Sequence, residues 1–124
     1  MTTGIDVETA VRTFMTACGQ GVDDGKHVFD LRLALIEEEY TEFMEALGWG
    51  DPVLIAKEAC DLVYVVVGTL ISKGIPFNDV FAALQASNMS KVGPNGEVTK
   101  RADGKILKGD DFKPAEDMIK EIIG

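Results

Sequence analysis

Apolar residues recur at helical spacing through most of the first 90 positions. The first predicted helix follows Asp6, whose side chain is of the type that caps a helix, and ends near Gly19. Four residues form its predicted apolar stripe: Val7, Val11, Phe14 and Met15. This pattern indicates a helix with one face directed towards a core.

A second helix is predicted to open around Asp30 and to stop at Gly48. Its expected apolar face consists of Leu31, Leu35, Ile36, Phe43, Met44 and Leu47. The connector GWGDP then introduces a third helix, because Asp51 is a good cap and Pro52 suits the first helical position. Since this connector is short, the second and third helices are expected to pair antiparallel.

The third helix, predicted over Pro52–Lys73, is apolar nearly all round, which is typical of a central buried helix. The run VYVVV has local strand propensity, so a strand is the alternative there. A fourth helix is predicted from about Asn78 to Ser90. Its expected inward residues are Val80, Phe81, Leu84 and Met89.

The pattern changes over residues 91–113, where PNG and ADG turn signals separate short alternating stretches. A loop or hairpin-like basic tail is predicted there, and Pro114 is expected to open a short last helix ending at Ile123. The predicted fold is therefore all-α: a small four-helix-type bundle within a single domain of 124 residues. Its helical core spans about 5–90 and its tail about 91–124.

The chain carries 21 acidic against 12 basic residues, a net charge of −9. This balance disfavours binding to a nucleic acid polymer, because phosphate contacts need lysine and arginine. Cys18 and Cys60 lack any metal-binding or redox spacing and are expected to be reduced. No signal peptide is expected, and the longest uncharged apolar run, 62–72, is too short for a membrane span. A cytoplasmic chain without a membrane partner is predicted.

Two groups of carboxylates lie on neighbouring predicted helices. Glu38, Glu42 and Glu45 fall within about 60° of one another on the second helix, with Glu39 beside them. Glu58 and Asp61 lie one turn apart on the third helix. Antiparallel pairing across the short connector would bring both groups to one place.

The segment from Leu33 to Ser72 contains eight acids and one base, Lys57, so protein cations cannot neutralise it. Mg²⁺ can, since it prefers oxygen ligands and keeps waters and substrate phosphates in its shell. Two simpler alternatives stay open: a solvated acidic face and a Lys57–Asp61 salt bridge. A ferritin-like di-iron site is disfavoured, because the only histidine, His27, lies in a predicted loop.

The motif EE-x-x-E at Glu38, Glu39 and Glu42, followed by E-x-x-D at Glu58 and Asp61, resembles the all-α nucleoside triphosphate pyrophosphohydrolases. This superfamily includes the MazG and phosphoribosyl-ATP pyrophosphohydrolase groups. The tail segments SNMSK and ADGKILKGDDFKPAE resemble its small phosphoribosyl-ATP-pyrophosphohydrolase-like branch. The resemblance extends over roughly residues 31–114.

The resemblance implies a Mg²⁺-dependent enzyme, with Mn²⁺ as a possible substitute, that cleaves between the α- and β-phosphates of a nucleotide. It also implies a homodimer or homotetramer. The metal ligands that it implies are Glu38, Glu39, Glu42, Glu58 and Asp61. Catalytic roles are assigned to Glu39 and Glu42, with Glu39 as the hypothesised general base because it is offset from the main carboxylate stripe.

Six of the twelve basic residues lie within residues 91–113, which fits phosphate recognition. The predicted substrate-binding residues are Asn88, Lys91, Lys105 and Lys108. Trp49 either stacks on a base or packs against the helix turn. The predicted substrate is a nucleoside or deoxynucleoside triphosphate. The alternatives are a non-catalytic module that binds nucleotide or divalent cation, and a phosphoribosyl-ATP pyrophosphohydrolase of histidine biosynthesis.

Overall fold

The computed structural model describes residues 4–23 and 29–124, and these ranges contain five helices and one two-stranded ribbon. In chain order the elements are α1 (Val7–Ala17), α2 (Phe29–Trp49), α3 (Pro52–Ser72), α4 (Phe77–Met89), β1 (Thr99–Lys100), β2 (Ile106–Leu107) and α5 (Ala115–Ile123). The predicted all-α class is confirmed. The prediction for His27 lies outside the described residues.

The chain divides into two compact units, Met1–Phe77 and Asn78–Gly124. The first unit contains α1, α2 and α3, and the second contains most of α4, the ribbon and α5. The assignment of one domain to the whole chain stays a prediction.

Aspartate caps start two helices of the first unit where the sequence predicts them. The Asp6 carboxylate accepts a hydrogen bond from the Thr9 backbone N–H at 2.9 Å, and the Asp51 carboxylate accepts one from Val53, also at 2.9 Å. Pro52 lies in the first turn of α3, where its missing N–H costs nothing. The VYVVV run is helical, so the strand alternative is wrong.

Glycines in the left-handed region follow both long helices. α2 continues through Gly48 to Trp49, and Gly50, with φ +76°, is the residue that leaves the helix. The prediction that Gly48 stops α2 was therefore wrong by two residues. α3 ends as predicted, with Lys73 as its C-cap and Gly74 at φ +72°.

The core of the first unit forms where α1 and α2 both pack against α3. Val11 and Met15 of α1 pack with Val67 and Ile71 of α3, and all four side chains are buried. The antiparallel pairing of α2 and α3 creates a seam, because Arg32 at one end contacts Val65 and Ala46 at the other end lines a cavity with Leu54. This α2–α3 seam positions the candidate site.

Several residues predicted to face a core are exposed in the single chain. Phe14, Leu31, Met44 and Leu47 are between about 46% and 51% exposed. On α3, predicted to be buried all round, four apolar residues are exposed: Val53, Leu54, Val63 and Val66. These expectations were wrong for the isolated chain, because α3 packs against α1 and α2 on only part of its surface.

In the second unit, β1 and β2 form an antiparallel ribbon with Thr99 opposite Leu107. Gly104, at φ +93°, makes the turn between the strands. The Ser90 hydroxyl accepts a hydrogen bond from the Lys113 N–H at 2.8 Å, which ties the end of α4 to the segment before α5. The predicted hairpin-like tail and short last helix are confirmed.

The inward face of α4 differs from the prediction. Ala83 and Ser87 are its buried residues, whereas Phe81, Leu84 and Met89 are exposed and only Val80 is partly buried. The buried face of α4 thus consists of small side chains, while its large apolar residues are exposed.

None of the helices within residues 4–23 and 29–124 is long and apolar enough to cross a membrane.

Gly68 is required where α1, α2 and α3 meet. A Cβ at this position would lie 2.8 Å from Arg32 Nη2 and 3.3 Å from Met15 Sδ, whereas one at Gly48 would meet nothing within 4 Å. Both glycines are helical. We expect Gly68→Ala to lower the free energy of unfolding by ~1 kcal/mol net of the helix-propensity gain, and Gly48→Ala to raise it by up to ~1 kcal/mol. Urea unfolding measures both; equal effects would contradict the assigned packing.

Candidate active site

Three carboxylates from two helices converge at the middle of the α2–α3 seam. One oxygen each of Glu39, Glu58 and Asp61 lies within 4.8 Å of the other two. Glu39 is on the stripe of α2 that faces α3, together with the half-buried Leu35 and the buried Ala46. Glu58 and Asp61 share a face of α3 one turn apart. We call these three residues the carboxylate triad.

Two oxygens of the carboxylate triad are left without partners. Glu39 Oε2 and Glu58 Oε2 are buried from solvent, and neither has a hydrogen-bond partner within residues 4–23 and 29–124. A buried carboxylate oxygen normally finds a donor or a metal ion, since leaving it unsatisfied is costly. The triad therefore has unfilled coordination capacity.

Lys57 neutralises part of this charge. Its Nζ lies 2.7 Å from Asp61 Oδ2 and 3.3 Å from Glu58 Oε1, so the Lys57–Asp61 salt bridge that the sequence left open as an alternative is present. The hydrogen bond to Asp61, and then the one to Glu58, raise the pKa of Lys57 above its usual range. Among the described residues, no cation forms a salt bridge with Glu39.

Two carboxyl groups of α2 resist ionisation. Burial, followed by repulsion from Asp61, raises the pKa of Glu39. A hydrogen bond with Glu58, followed by repulsion from Glu39, raises the pKa of Glu42. A cation placed among these groups would lower both pKa values, because it favours the ionised carboxylates.

The carboxylate triad fits a small divalent cation. Mg²⁺ holds oxygen ligands at about 2.1 Å, so two ligands on opposite sides of it lie about 4.2 Å apart. The three oxygens of the triad lie within 4.8 Å of one another, a separation on the scale of this geometry. An all-oxygen donor set also matches a hard cation rather than a soft one.

The five predicted metal ligands are not equivalent. Glu42 is half-buried beside Glu58 and Glu39, just outside the carboxylate triad. Glu38 is exposed, on a shallow surface that it lines with Thr41 and Glu42. It lies off the seam because it is one residue away from Glu39, which rotates it by about 100° around α2. Its role as a ligand stays a prediction.

A cavity of about 250 Å³ adjoins the carboxylates at the α2–α3 connector. It is lined by Glu42, Glu45, Ala46, Trp49, Leu54 and Glu58. The Trp49 side chain is 84% exposed, so the alternative that it packs against the helix turn is wrong. An exposed indole beside a carboxylate cluster is available to a ligand.

Three of the four predicted substrate-binding residues meet in the second unit. Asn88, Lys91 and Lys108 line one cavity of about 200 Å³ at the start of α5. The Lys108 ammonium lies 5.0 Å from the centroid of the Phe112 ring, a cation–π contact that orients it. Lys105 is exposed in the turn of the ribbon, where its backbone N–H bonds to Asp103, and it does not line this cavity.

Sequence reasoning missed two features of the first unit. It did not foresee that Leu54 and Ala46 would complete a cavity with Trp49, or that Arg32 would be buried in the seam. The signal for Arg32 was present in the sequence, since it occupies a helical stripe with Leu35, Glu39 and Ala46. A charged residue on such a stripe is expected to be buried between the helices.

The chain matches the phosphoribosyl-ATP pyrophosphohydrolase family over residues 20–88. Because this match covers more than half of the chain, the protein belongs to that family, within the all-α nucleoside triphosphate pyrophosphohydrolase superfamily. It is thus a pyrophosphohydrolase, a hydrolase of phosphoanhydride bonds. A search of curated proteins found no match. The matched region contains the carboxylate triad, as expected for a family of divalent-metal-dependent hydrolases.

Removing one charge from the triad should stabilise the metal-free protein. The folded-state pKa of Glu39 is raised, so the stability that its protonated form contributes is present at low pH and is lost as pH rises through that pKa. We expect Glu39→Gln to raise the free energy of unfolding at about pH 7 and to have little effect near pH 3.5, below the usual glutamate pKa. Urea unfolding in EDTA at the two pH values measures this.

Glu37→Gln is the matched control, because Glu37 is an exposed glutamate of the same helix outside the triad. Added Mg²⁺ should stabilise the wild type and the control but not Glu39→Gln. Identical responses of all three proteins to pH and to Mg²⁺ would contradict the assignment of the triad.

Proposed function

We propose that the protein is a Mg²⁺-dependent pyrophosphohydrolase of a nucleoside or deoxynucleoside triphosphate. Cleavage of the bond between the α- and β-phosphates would release a nucleoside monophosphate and pyrophosphate. The observation that carries this proposal is the carboxylate triad, with its two buried oxygens that lack partners. Membership of a pyrophosphohydrolase family supplies the reaction class.

The roles of the carboxylates follow from their positions. Glu39, Glu58 and Asp61 would hold Mg²⁺, or Mn²⁺ in its place, with Glu38 available from the exposed side of α2. When bound, the ion supplies charge compensation for phosphate oxygens and lowers the pKa of water. Glu42 lies just outside the triad, so it could accept a proton without giving up a metal bond, and it is the better-placed general base of the two residues given catalytic roles.

Trp49 is the proposed platform for the nucleobase. Its exposed indole belongs to the lining of the 250 Å³ cavity, which Glu42 and Glu58 also line. A base stacked on this ring would place its attached phosphates on the carboxylate side. Stacking is tolerant of base identity, so this contact supports a nucleotide as substrate without choosing the base.

The basic residues of the second unit are proposed to bind phosphate. Asn88, Lys91 and Lys108 converge on a cavity at the N-terminus of α5, where Pro114 leaves the helix without a side-chain cap. Two ammonium groups beside free helix N–H groups favour an anion. Lys105, on the ribbon nearby in sequence, is the fourth proposed substrate contact.

A homodimer or homotetramer is proposed as the working form. Four exposed apolar residues follow one another at helical spacing along α2: Leu33, Tyr40, Met44 and Leu47. Further exposed apolar residues lie on α3. Contiguous apolar surface on a small helical protein favours association. The proposed location is the cytoplasm, since the exposed free thiols Cys18 and Cys60 suit a reducing compartment.

Phosphoribosyl-ATP is the second candidate substrate, because the matched family takes its name from it. We rank it second because the chain continues beyond the fourth helix into the basic tail. Assaying both substrate classes under the same conditions separates the two candidates.

Turnover should depend on Mg²⁺ and on the triad. We expect pyrophosphate from at least one nucleotide of a ribo- and deoxynucleoside triphosphate panel, none in EDTA, and a loss of more than about 100-fold in Asp61→Ala and Glu42→Ala. Glu37→Ala, at an exposed position outside the triad, should retain wild-type rates. A pyrophosphate assay with circular dichroism as a folding check measures this. Release of orthophosphate, or full activity of Asp61→Ala, would refute the proposal.

Trp49 offers a binding readout that is independent of turnover. It is the only tryptophan of the chain, so its fluorescence should be quenched when a non-hydrolysable substrate analogue binds with Mg²⁺. We expect Trp49→Ala to raise KM about 5- to 100-fold, as loss of a stacked base would, and Trp49→Phe to raise it less. Because the side chain is exposed, neither change should alter the Tm. An unchanged KM in Trp49→Ala would exclude stacking.

A further inference from the structure

Arg32 is a buried cation with incomplete hydrogen bonding. The residue is 5% exposed, and its Nε has no hydrogen-bond partner in the part of the chain that the structure describes. Its Nη2 donates one long bond of 3.4 Å to the Val65 carbonyl oxygen. No carboxylate among residues 4–23 and 29–124 forms an ion pair with it, in contrast to Arg12 and Arg101, which pair with Asp23 and Asp103.

Burying the charged guanidinium group of Arg32 is unfavourable unless an anion lies beside it. A guanidinium group stays protonated inside proteins, so burial does not remove its charge. Burial lowers the pKa of Arg32, because a low-dielectric surrounding disfavours the charged form. An aliphatic side chain of similar size would occupy this position at a lower cost in free energy.

Arg32 lines a cavity of about 130 Å³ between α1, α2 and α3. Most of the wall is apolar and includes Val11, Met15 and Leu35, and Phe14 and Tyr64 form an edge-to-face pair at 5.8 Å along another side. A cavity of about 150 Å³ with apolar walls holds a molecule of the size of benzene. The space therefore suits a small organic molecule rather than a single water.

We propose that this cavity binds a small organic monocarboxylate. The carboxylate would accept hydrogen bonds from Arg32, including one from the unpartnered Nε–H, and the apolar body would occupy the space between Val11, Met15 and Leu35. Inorganic phosphate fits poorly, because the apolar walls would leave most of its oxygens without donors. This site is separate from the carboxylate triad and does not depend on the proposed function.

The Nε–H resonance of Arg32 gives a direct test in the full-length protein. We expect titration with benzoate to shift this ¹⁵N–¹H signal saturably at concentrations up to about 20 mM, while sodium chloride at matched ionic strength does not. Benzyl alcohol, a neutral molecule of similar shape, should not shift it either. The Nε–H signals of Arg12 and Arg101 are internal controls, since both side chains already have carboxylate partners.

Variants separate the site from general effects of benzoate. Benzoate should raise the Tm of the wild type and of Arg101→Met but not that of Arg32→Met, which loses the guanidinium and keeps an apolar stem. An Arg32 signal that does not move, or moves equally with benzyl alcohol or chloride, would overturn the proposal. The same holds for a Tm increase that persists in Arg32→Met. If Arg32→Met does not fold, the wild-type titration alone decides.

Discussion

Repulsion between carboxylates held in the seam of two paired helices is the constraint on which the rest of the structure depends. Glu39 comes from α2 and Glu58 and Asp61 from α3, so they meet only while the two helices stay in register. The short connector with Asp51 and Pro52 fixes that register by starting α3 immediately after α2 ends. Charges that oppose folding are thus maintained by backbone geometry, as is common at functional sites.

The stability that offsets this repulsion comes from another part of the same unit. Val11, Met15, Val67 and Ile71 form a fully buried cluster between α1 and α3, beyond the carboxylates. Gly68 belongs to the same turns of α3 and permits close approach of the helices there. The C-terminal half of α3 therefore packs in the core, and its N-terminal half carries two residues of the triad. Placing both on one rigid helix suits a site whose ligands must keep their spacing.

Local sequence signals predicted the helices well and their inner faces poorly. Caps such as Asp6 and Asp51 act through hydrogen bonds to residues two or three positions away, so they can be predicted from the local sequence. The spacing of Glu58 and Asp61 likewise follows from helix geometry alone. The exposure of Phe14 and Phe81 depends on which helix surfaces pack together in the folded chain. When apolar residues lie all round a helix, the sequence does not show which face is buried. The choice of Glu39 over Glu38 for the seam required the position of α3.

Lys57 gives the carboxylate group a property that fixed ligands lack. Its ammonium group sits on a flexible stem, 62% exposed, while bonded to Asp61 and Glu58. A tethered counter-ion of this kind can swing into solvent by rotation of its own side chain, without displacement of either helix. Exchange between ammonium and an incoming cation then needs no refolding, so the entry of the ion is a local substitution at the surface of an unchanged scaffold.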